Sequence, residues 1–465
     1  MNDHALPPAR SRLGTRLRIS DDRRGFVESD GRPFFYLGDT AWTIFKRLDH
    51  DDAERYLSNR ADKGFTVIQA YVLRGLEVSN LDGELPLIDR DPTRLNEGFF
   101  RNVDWIVRRA NELGLVMGLV ATMGEHVKRK VGSERFQERD EQIFNTQNAF
   151  TFGELLGARY RDNAVMWLLG GDRTPSEADI AIWDAMAAGL KAGSEDSHLV
   201  SYHSSGGHSS SEHFHHKDWL DFNTVQSRHA SADPNHELIA VDYALTPVKP
   251  TLDMEARYED HPDGRLEDLG KVFSGEVQAS VRINAHDVRE AAYWAVFAGA
   301  AGHGYGHNDI HQMADSRRVD STRDYSHPYI PPTGDWFVSI DSEGAVGMSH
   351  LRRLVELRPW YLAVPDQSVI TAGQGQGEDH VQALRARDGS FVLAYLTFGN
   401  PVSVDLDRLS GDQVRASWYD PRTGQLSESG ILPRSGVQEF VAPSSGPDDD
   451  WVLVLDDVAS AYPTI

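Results

Sequence analysis

Between about residues 34 and 306, apolar runs of strand length alternate with longer segments whose apolar residues fall three and four apart. That alternation predicts parallel strands joined by crossover helices. Eight runs have strand character: FFYLGDTA from Phe34, FTVIQAYV from Phe65, LVMGLVAT from Leu115, VMWLLGGD from Val165, LVSYHSS from Leu199, FNTVQSR from Phe222, PTLDMEA from Pro250 and AGAAGHGYG from Ala298. Eight such units predict an α/β fold, a (β/α)8 TIM barrel, whose chemistry lies at the C-terminal ends of the strands.

The intervening helices carry their own signals. In DDAERYLSNRADKG, Ala53, Tyr56, Leu57 and Arg60 share one face, and VDWIVRRANELG ends at Gly114. Gly64 and Gly114 read as helix C-terminal caps. From Asp287 to Phe297, Val288, Ala291, Ala292 and Ala295 form a face suited to packing on the barrel. Residues 307 to 335, rich in His, Asp, Ser, Arg and Pro, are too long for an ordinary connection and predict a loop over the barrel mouth.

Beyond Pro365 the pattern changes to short strands, HVQALRARD, SFVLAYLTFG, VRASWYD and WVLVLDD, separated by Gly-containing turn signals. The expected organisation is an N-terminal extension over 1–30, a catalytic barrel over 31–364 and a small β-sandwich over 365–465.

Composition narrows the chemistry. With 47 Lys plus Arg against 71 Asp plus Glu, the formal charge of -24 disfavours nucleic acid and anionic membranes as partners. The absence of cysteine removes disulfides, thiolate metal sites and Cys nucleophiles. The first twenty residues lack the apolar core of a secretory signal, so the expected location is cytoplasmic. No GxGxxG follows a strand, and neither GxxxxGK[ST] nor GxSxG occurs, so no nucleotide cofactor and no Ser nucleophile elbow is expected.

The strand ends deliver polar residues to one rim: Asp39, Gln69, Tyr71, Thr122, Asp172, His203, Gln226, Glu255, Tyr305 and His307. Asp172 and Glu255 end the fourth and seventh candidate strands, and two carboxyl groups across a pocket suit glycosidic bond cleavage. Asp172 is expected to be the acid, with Gly170 and Gly171 admitting the sugar close to the backbone; its competing reading is a helix N-cap for TPSEADIAIW. Arg257 is expected to keep Glu255 ionised.

Glu255 has rivals in Asp253, Glu259 and Glu276. Strand alternation puts Asp253 and Glu255 on one face, with Glu255 nearer the mouth. Trp42, Tyr71, Trp219 and Tyr305 offer sugar-stacking rings. His203, His208, His213, His215, His216, His303, His307 and His311 offer an alternative, a metal-dependent barrel hydrolase or isomerase, although no HExxH is present.

Seven segments in order carry a family resemblance: FFYLGDTAW, YLSNRADKGFTVIQA, DRDPTRLNEGFFRNVDWIVRRA, RYRDNAVMWLLGGDR, WLDFNTVQSRH, DMEARYEDHP and VREAAYWAVFAGAAGHGYGHN. Over roughly residues 32 to 312 the chain resembles the apiosidase-like glycoside hydrolases, which include glycoside hydrolase family 140. The resemblance implies an eight-fold α/β barrel with the Asp of GGDR, Asp172, as acid/base and the Glu before RYE, Glu255, as nucleophile. It also implies that the region containing SWYDPRTG is the β-sandwich, labelled collagen-binding, that members often carry; here a structural domain packed on the barrel is expected.

Two stretches depart from the family pattern. Met123, Gly124, Glu125 and His126 stand where a Trp-Gly-Asp-Lys motif is usual, and Met254 and Ala256 where Gly and Pro are usual. The expected function is an exo-acting, retaining glycoside hydrolase that releases a terminal sugar, such as the furanose apiose, from a plant-derived glycoside or oligosaccharide. The third alternative is a non-catalytic carbohydrate-binding barrel.

Overall fold

The computed structural model describes residues 11–128, 142–318 and 330–463. Eight parallel strands form the central sheet: β1 Tyr36–Thr40, β2 Val67–Leu73, β3 Val116–Thr122, β4 Val165–Gly170, β5 Val200–His203, β6 Asn223–Gln226, β7 Thr251–Glu255 and β8 Gly302–His307. Ladders run β5-β4-β3-β2-β1-β8-β7-β6. The ring closes between β5 and β6 through a few hydrogen bonds instead of a regular ladder: Asp221 N–H donates to the Val200 carbonyl (2.9 Å) and Ser201 Oγ to the Phe222 carbonyl (2.6 Å).

Alternation along each strand divides the apolar residues into two layers. Val67, Tyr71, Val116, Val120, Met166, Leu168, Leu252 and Met254 fill the barrel interior. Ile68, Ala70, Met117, Leu119, Trp167 and Leu169 face outward beneath the helices. Both faces are dry, which is why the strands read as near-continuous apolar runs.

The main crossover helices are α1 His50–Asp62, α2 Glu97–Glu112, α3 Thr146–Tyr160, α4 Glu177–Gly193, α5 Asn235–Tyr243 and α6 Ala285–Phe297. On α1 the buried face contains Ala53, Tyr56, Leu57 and Arg60, and the glycines that follow α1 and α2, Gly64 and Gly114, have φ of 79° and 83°. These match the expected stripe and caps. Helix α2 starts earlier than the apolar spacing suggests because Asn96 accepts the Gly98 N–H at 2.9 Å and caps it.

Strand β8 begins at Gly302, not Ala298. Ala298 is the C-cap of α6, Gly299 turns the chain at φ 104°, and Ala298 and Ala300 pack with Val225 and Ile239. Residues 307–335 are also more structured than a bare loop. They contain short helices at Asn308–His311 and Ser316–Arg318, while 319–329 lie outside the described residues.

C-terminal to the barrel, a six-stranded sheet contains Val381–Ala386, Phe391–Leu396, Trp451–Asp457 and Gln413–Asp420, and a three-stranded sheet contains Val402–Asp405. Ala383, Val392, Ala394, Leu453 and Leu455 fill the space between the two sheets. The opposite face of the larger sheet, with Leu393, Tyr395, Val452 and Val454, joins the core under α6. Tyr293 of α6 stacks on Tyr395 (centroids 4.8 Å apart, 7° between planes), and Arg289 grips Asp450 through two bonds of 2.9 and 2.8 Å. Helix α6 thus packs on the barrel with one face and on the sheet with the other, which suits its all-round burial.

Candidate active site

The GGD sequence after β4 makes three successive left-handed residues: Gly170, Gly171 and Asp172 have φ of 92°, 73° and 58°. A Cβ on Gly170 would lie 2.3 Å from the His203 carbonyl oxygen, and one on Gly171 would lie 2.9 Å from the Thr122 carbonyl oxygen. The glycines therefore allow close approach to β5 and β3. They turn the chain so that Asp172, a non-glycine residue at a conformational cost of roughly 1–2 kcal/mol, reaches over the mouth. Gln226 Nε2 donates to Asp172 Oδ1 at 2.9 Å. The N-cap reading of Asp172 is replaced: Ser176 caps α4 in a capping box with Asp179.

At the end of β7 the ladder is irregular. Val225 pairs with Asp253 but Gln226 pairs with Glu255, so Met254 is skipped. Asp253 and Glu255 consequently do not share a face. Asp253 points outward, accepting from Ser227 Oγ and Asn235 Nδ2 at 2.8 Å each, and burial pushes its carboxyl up to about 6. Glu255 turns to the mouth, where His203 Nε2 lies 2.7 Å from Oε2 and His229 Nε2 lies 3.2 Å from Oε1.

Burial alone would raise the Glu255 carboxyl, but hydrogen bonds from His203 and His229 and their charge outweigh it and hold it well below the usual range. His203 moves the opposite way. Burial disfavours its charge, yet Glu255, Asp172 and the Ser204 carbonyl raise it. Arg257 is not the partner of Glu255: its Nη1 lies 2.6 Å from Glu290 Oε1 on α6, and it also donates to the Asp287 and Asp233 carbonyls.

Asp172 and Glu255 border a cavity of 380 Å³ with Trp42, Arg74, Glu125, Arg173, Gln226, His229, Tyr258, His261, Phe273 and His311. An oxygen of Asp172, a ring nitrogen of His203 and an oxygen of Glu255 all lie within 4.8 Å of one another. Trp42 Nε1 donates to Tyr258 OH at 3.0 Å, and its ring lies 4.8 Å from Tyr71 and 5.5 Å from His203. Tyr71 is buried beside this pair; burial and the charges of Asp172 and Glu255 keep its phenol protonated.

Of the ten predicted rim residues, Asp172, Gln226 and Glu255 line the cavity; Tyr71, Thr122 and His203 are buried and do not line it, and four more stay out of it. Asp39 faces the helix layer, where Arg60 Nε lies 2.9 Å away and Tyr56 OH donates at 2.6 Å. Gln69 is a buried floor residue, donating to the Met254 carbonyl at 3.0 Å and accepting from Tyr36 OH at 3.0 Å. Along β8, inward positions are glycines: a Cβ on Gly304 would meet the Met254 carbonyl oxygen at 2.1 Å and one on Gly306 the Tyr258 ring at 2.3 Å. The alternate residues Tyr305 and His307 therefore turn away, Tyr305 OH to Glu259 (2.6 Å) and His307 Nδ1 to the Asp309 N–H (3.0 Å). Glu276 is exposed, and Trp219 hydrogen-bonds Asp184 away from the mouth.

His229, Tyr258 and Arg74 are site residues that reading strand ends missed. His229 and Tyr258 lie three residues past the last ladder positions of β6 and β7, where side-chain direction no longer follows strand period. Their only signal was membership of WLDFNTVQSRH and DMEARYEDHP. Arg74 makes no hydrogen bond or ion pair with any other described residue and lies over the Tyr71 ring at 5.4 Å. Of the departures from the family pattern, Glu125 forms one wall by pairing with Arg173 at 2.7 Å.

A larger cavity of 470 Å³ lies near the N-terminal ends of β1 and β8, among Phe26, Tyr243, Trp360 and Tyr361. It is at the wrong end of the barrel for the catalytic chemistry of this fold. The eight histidines offered as metal ligands do not gather at one point either. His208 is exposed against Glu212, His303 lies on the outward face of β8, and among the described residues only His203 and His307 sit in groups of metal-ligand type, the second with Asp260 and Asp309.

A (β/α)8 barrel with a cavity at the strand C-termini and a close carboxylate pair defines the class, a glycoside hydrolase acting on carbohydrate. Residues 20–362 match the family model "Apiosidase-like, catalytic domain", and the chain belongs to that family. Residues 364–456 match a second model, "Putative collagen-binding domain of a collagenase". A solved structure described as a glycoside hydrolase is 28% identical with TM-score 0.85, covering 97% of this chain and 99% of its own. A glycoside hydrolase family 5 protein from Bacteroides vulgatus ATCC 8482 is 29% identical with TM-score 0.86, covering 98% and 97%. No curated protein gives a significant match. No helix among the described residues is long and apolar enough to cross a membrane.

Proposed function

We propose that the protein releases a terminal sugar from a glycoside with retention of anomeric configuration, using Glu255 as nucleophile and Asp172 as acid/base. The reading is supported by the carboxylate pair, one oxygen of Asp172 lying within 4.8 Å of one oxygen of Glu255. Retaining enzymes hold the two carboxyl groups at ~5–5.5 Å, whereas inverting enzymes need ~6.5–9.5 Å to admit water. Glu255, held ionised by two histidines, attacks the anomeric carbon as the glycosidic C–O bond breaks and Asp172 gives its proton to the leaving oxygen. Water then attacks the glycosyl-enzyme, Asp172 takes its proton, and Glu255 is released as carboxylate.

The 380 Å³ cavity is at the small end of ligand pockets (~300–1,000 Å³), which supports removal of one terminal unit. Trp42 and Phe273 offer apolar faces, while Arg74 and Gln226 offer donors for sugar hydroxyls. Family membership supports a furanose such as apiose as the released sugar. The test is sugar release from a panel of pyranosides and furanosides, apiosides included, by wild type, Asp172→Asn and Glu255→Gln. Release lost in both variants is expected, and release untouched by either overturns the assignment. NMR of the first-formed anomer decides the stereochemistry, and an inverted product rejects double displacement.

A further inference from the structure

Asp172 borders a second cavity, and Glu255 does not. This space of 350 Å³ lies over the C-terminal ends of β3, β4 and β5, among the segment that follows β3, the one joining β4 to α4 and the turn after β5. Asp172 and Arg173 line both this cavity and the 380 Å³ cavity of the carboxylate pair. Arg173 is fixed between them. Tyr202 OH donates to its carbonyl at 2.9 Å, its guanidinium pairs with Glu125 at 2.7 Å, and a Cβ on Gly124 would collide with its side chain.

Retaining chemistry gives the two spaces different tasks. The sugar being cleaved must touch both carboxyl groups, since one attacks the anomeric carbon and the other protonates the glycosidic oxygen. The leaving group extends from that oxygen away from the nucleophile, so it lies beside the acid alone. The second cavity meets that condition, with Asp172 on its wall and Glu255 outside it. Buried Val127, Pro175 and Trp183 give it an apolar floor. At the rim, Thr174 Oγ1 and Ser205 Oγ lie 2.6 Å apart, two hydroxyls able to turn towards a ligand hydroxyl. The cations beside it are matched by acids, Lys128 Nζ lying 3.6 Å from Asp179 and Arg173 being held by Glu125. Such a lining suits an uncharged group with one apolar face.

We propose that this cavity is the leaving-group subsite, and that it takes an uncharged aglycone with an apolar face and hydroxyls at its edge. A phenolic ring and a second neutral sugar share that chemistry. The inference rests on the function proposed above, with Asp172 as acid/base. It places recognition on both sides of the scissile bond, the released sugar in the first cavity and the aglycone in the second.

The test compares wild type with Thr174→Trp, which fills the rim, and Ser205→Leu, which narrows it from the β5 side and keeps the test open if the larger residue prevents folding. Each protein is assayed on the methyl, phenyl and glucose-linked glycosides of the sugar that wild type releases from the panel. The quantity read is the ratio of kcat/KM on each larger aglycone to that on the methyl glycoside, so an inactive fraction of a variant cancels. A fall of about tenfold is expected. A fall confined to the phenyl glycoside assigns the subsite to a phenolic aglycone, and one confined to the glucose-linked glycoside assigns it to a second sugar. Ratios unchanged for both larger aglycones in an active variant overturn the proposal, as does a glucuronate-linked glycoside cleaved faster than the glucose-linked one by wild type. A wild type that cleaves no glycoside defeats the hydrolase reading and the subsite with it, whereas cleavage with unchanged ratios defeats the subsite alone.

Discussion

Two carboxylates in this barrel, Glu255 and Asp39, are each almost fully buried and each face cationic groups, yet they differ in what lies on their open side. Glu255 is flanked by His203 and His229 and borders the cavity. Asp39 is enclosed with Arg60 and Tyr56 between β1 and α1, where its carboxyl is raised by burial despite the guanidinium. Titratable partners leave Glu255 adjustable during a reaction. A permanent guanidinium makes Asp39 a fixed structural tie. A buried acid becomes a reactive group through its access to a cavity, not through burial or pairing.

Substitution of the two acids should give opposite phenotypes. Glu255→Gln and Asp172→Asn should reduce kcat by on the order of 10⁴-fold with little change in the urea midpoint; an unfolded Glu255→Gln protein would erase the distinction. Asp39→Asn should do the reverse. It strands the buried Arg60 and should cost about 3–5 kcal/mol of stability, read by urea unfolding, while folded enzyme keeps near-normal kcat.

Asp253 sharpens the contrast, since it lies two residues from Glu255 but on the outward face. Its folded carboxyl, up to about 6, lies above its ordinary value, so the unfolded chain holds fewer protons between about pH 4 and 6. Stability should therefore fall as pH rises through that window, by roughly 3 kcal/mol at ~1.4 kcal/mol per unit, and level off above it. Asp253→Asn should flatten this part of the curve in urea titrations; an unchanged slope would mean another group is responsible. The smallest effect expected is that of Trp42→Phe, which removes one hydrogen bond to Tyr258. About 1 kcal/mol, or a few-fold rise in KM, should be seen without a shift in the pH profile.

Much of the frame was legible in the chain. Eight apolar runs fell on the eight barrel strands, because a strand buried on both faces needs a continuous apolar stretch. Gly64 and Gly114 marked helix ends because only a left-handed residue closes those turns cheaply. At the mouth, Asp172, His203, Gln226 and Glu255 were found because strand termini repeat at a readable spacing. Strand period failed for Asp39, Tyr305 and His307, whose polar character came from contacts with the helix layer and the segment after β8. It also failed to foresee the skipped Met254, since a register irregularity depends on the neighbouring strand.

By itself, then, the sequence determined the fold class, the positions of the two carboxyl groups and their place near strand ends, since these follow from local period and residue type. Tertiary structure alone decided which acids face inward, that Arg257 pairs with Glu290, and that His203 and His229 converge on Glu255 from different strands. The physical reason is that ionisation and orientation depend on groups within a few ångströms in space. Glu255 and His203 lie 52 positions apart in the chain but 2.7 Å apart in the fold.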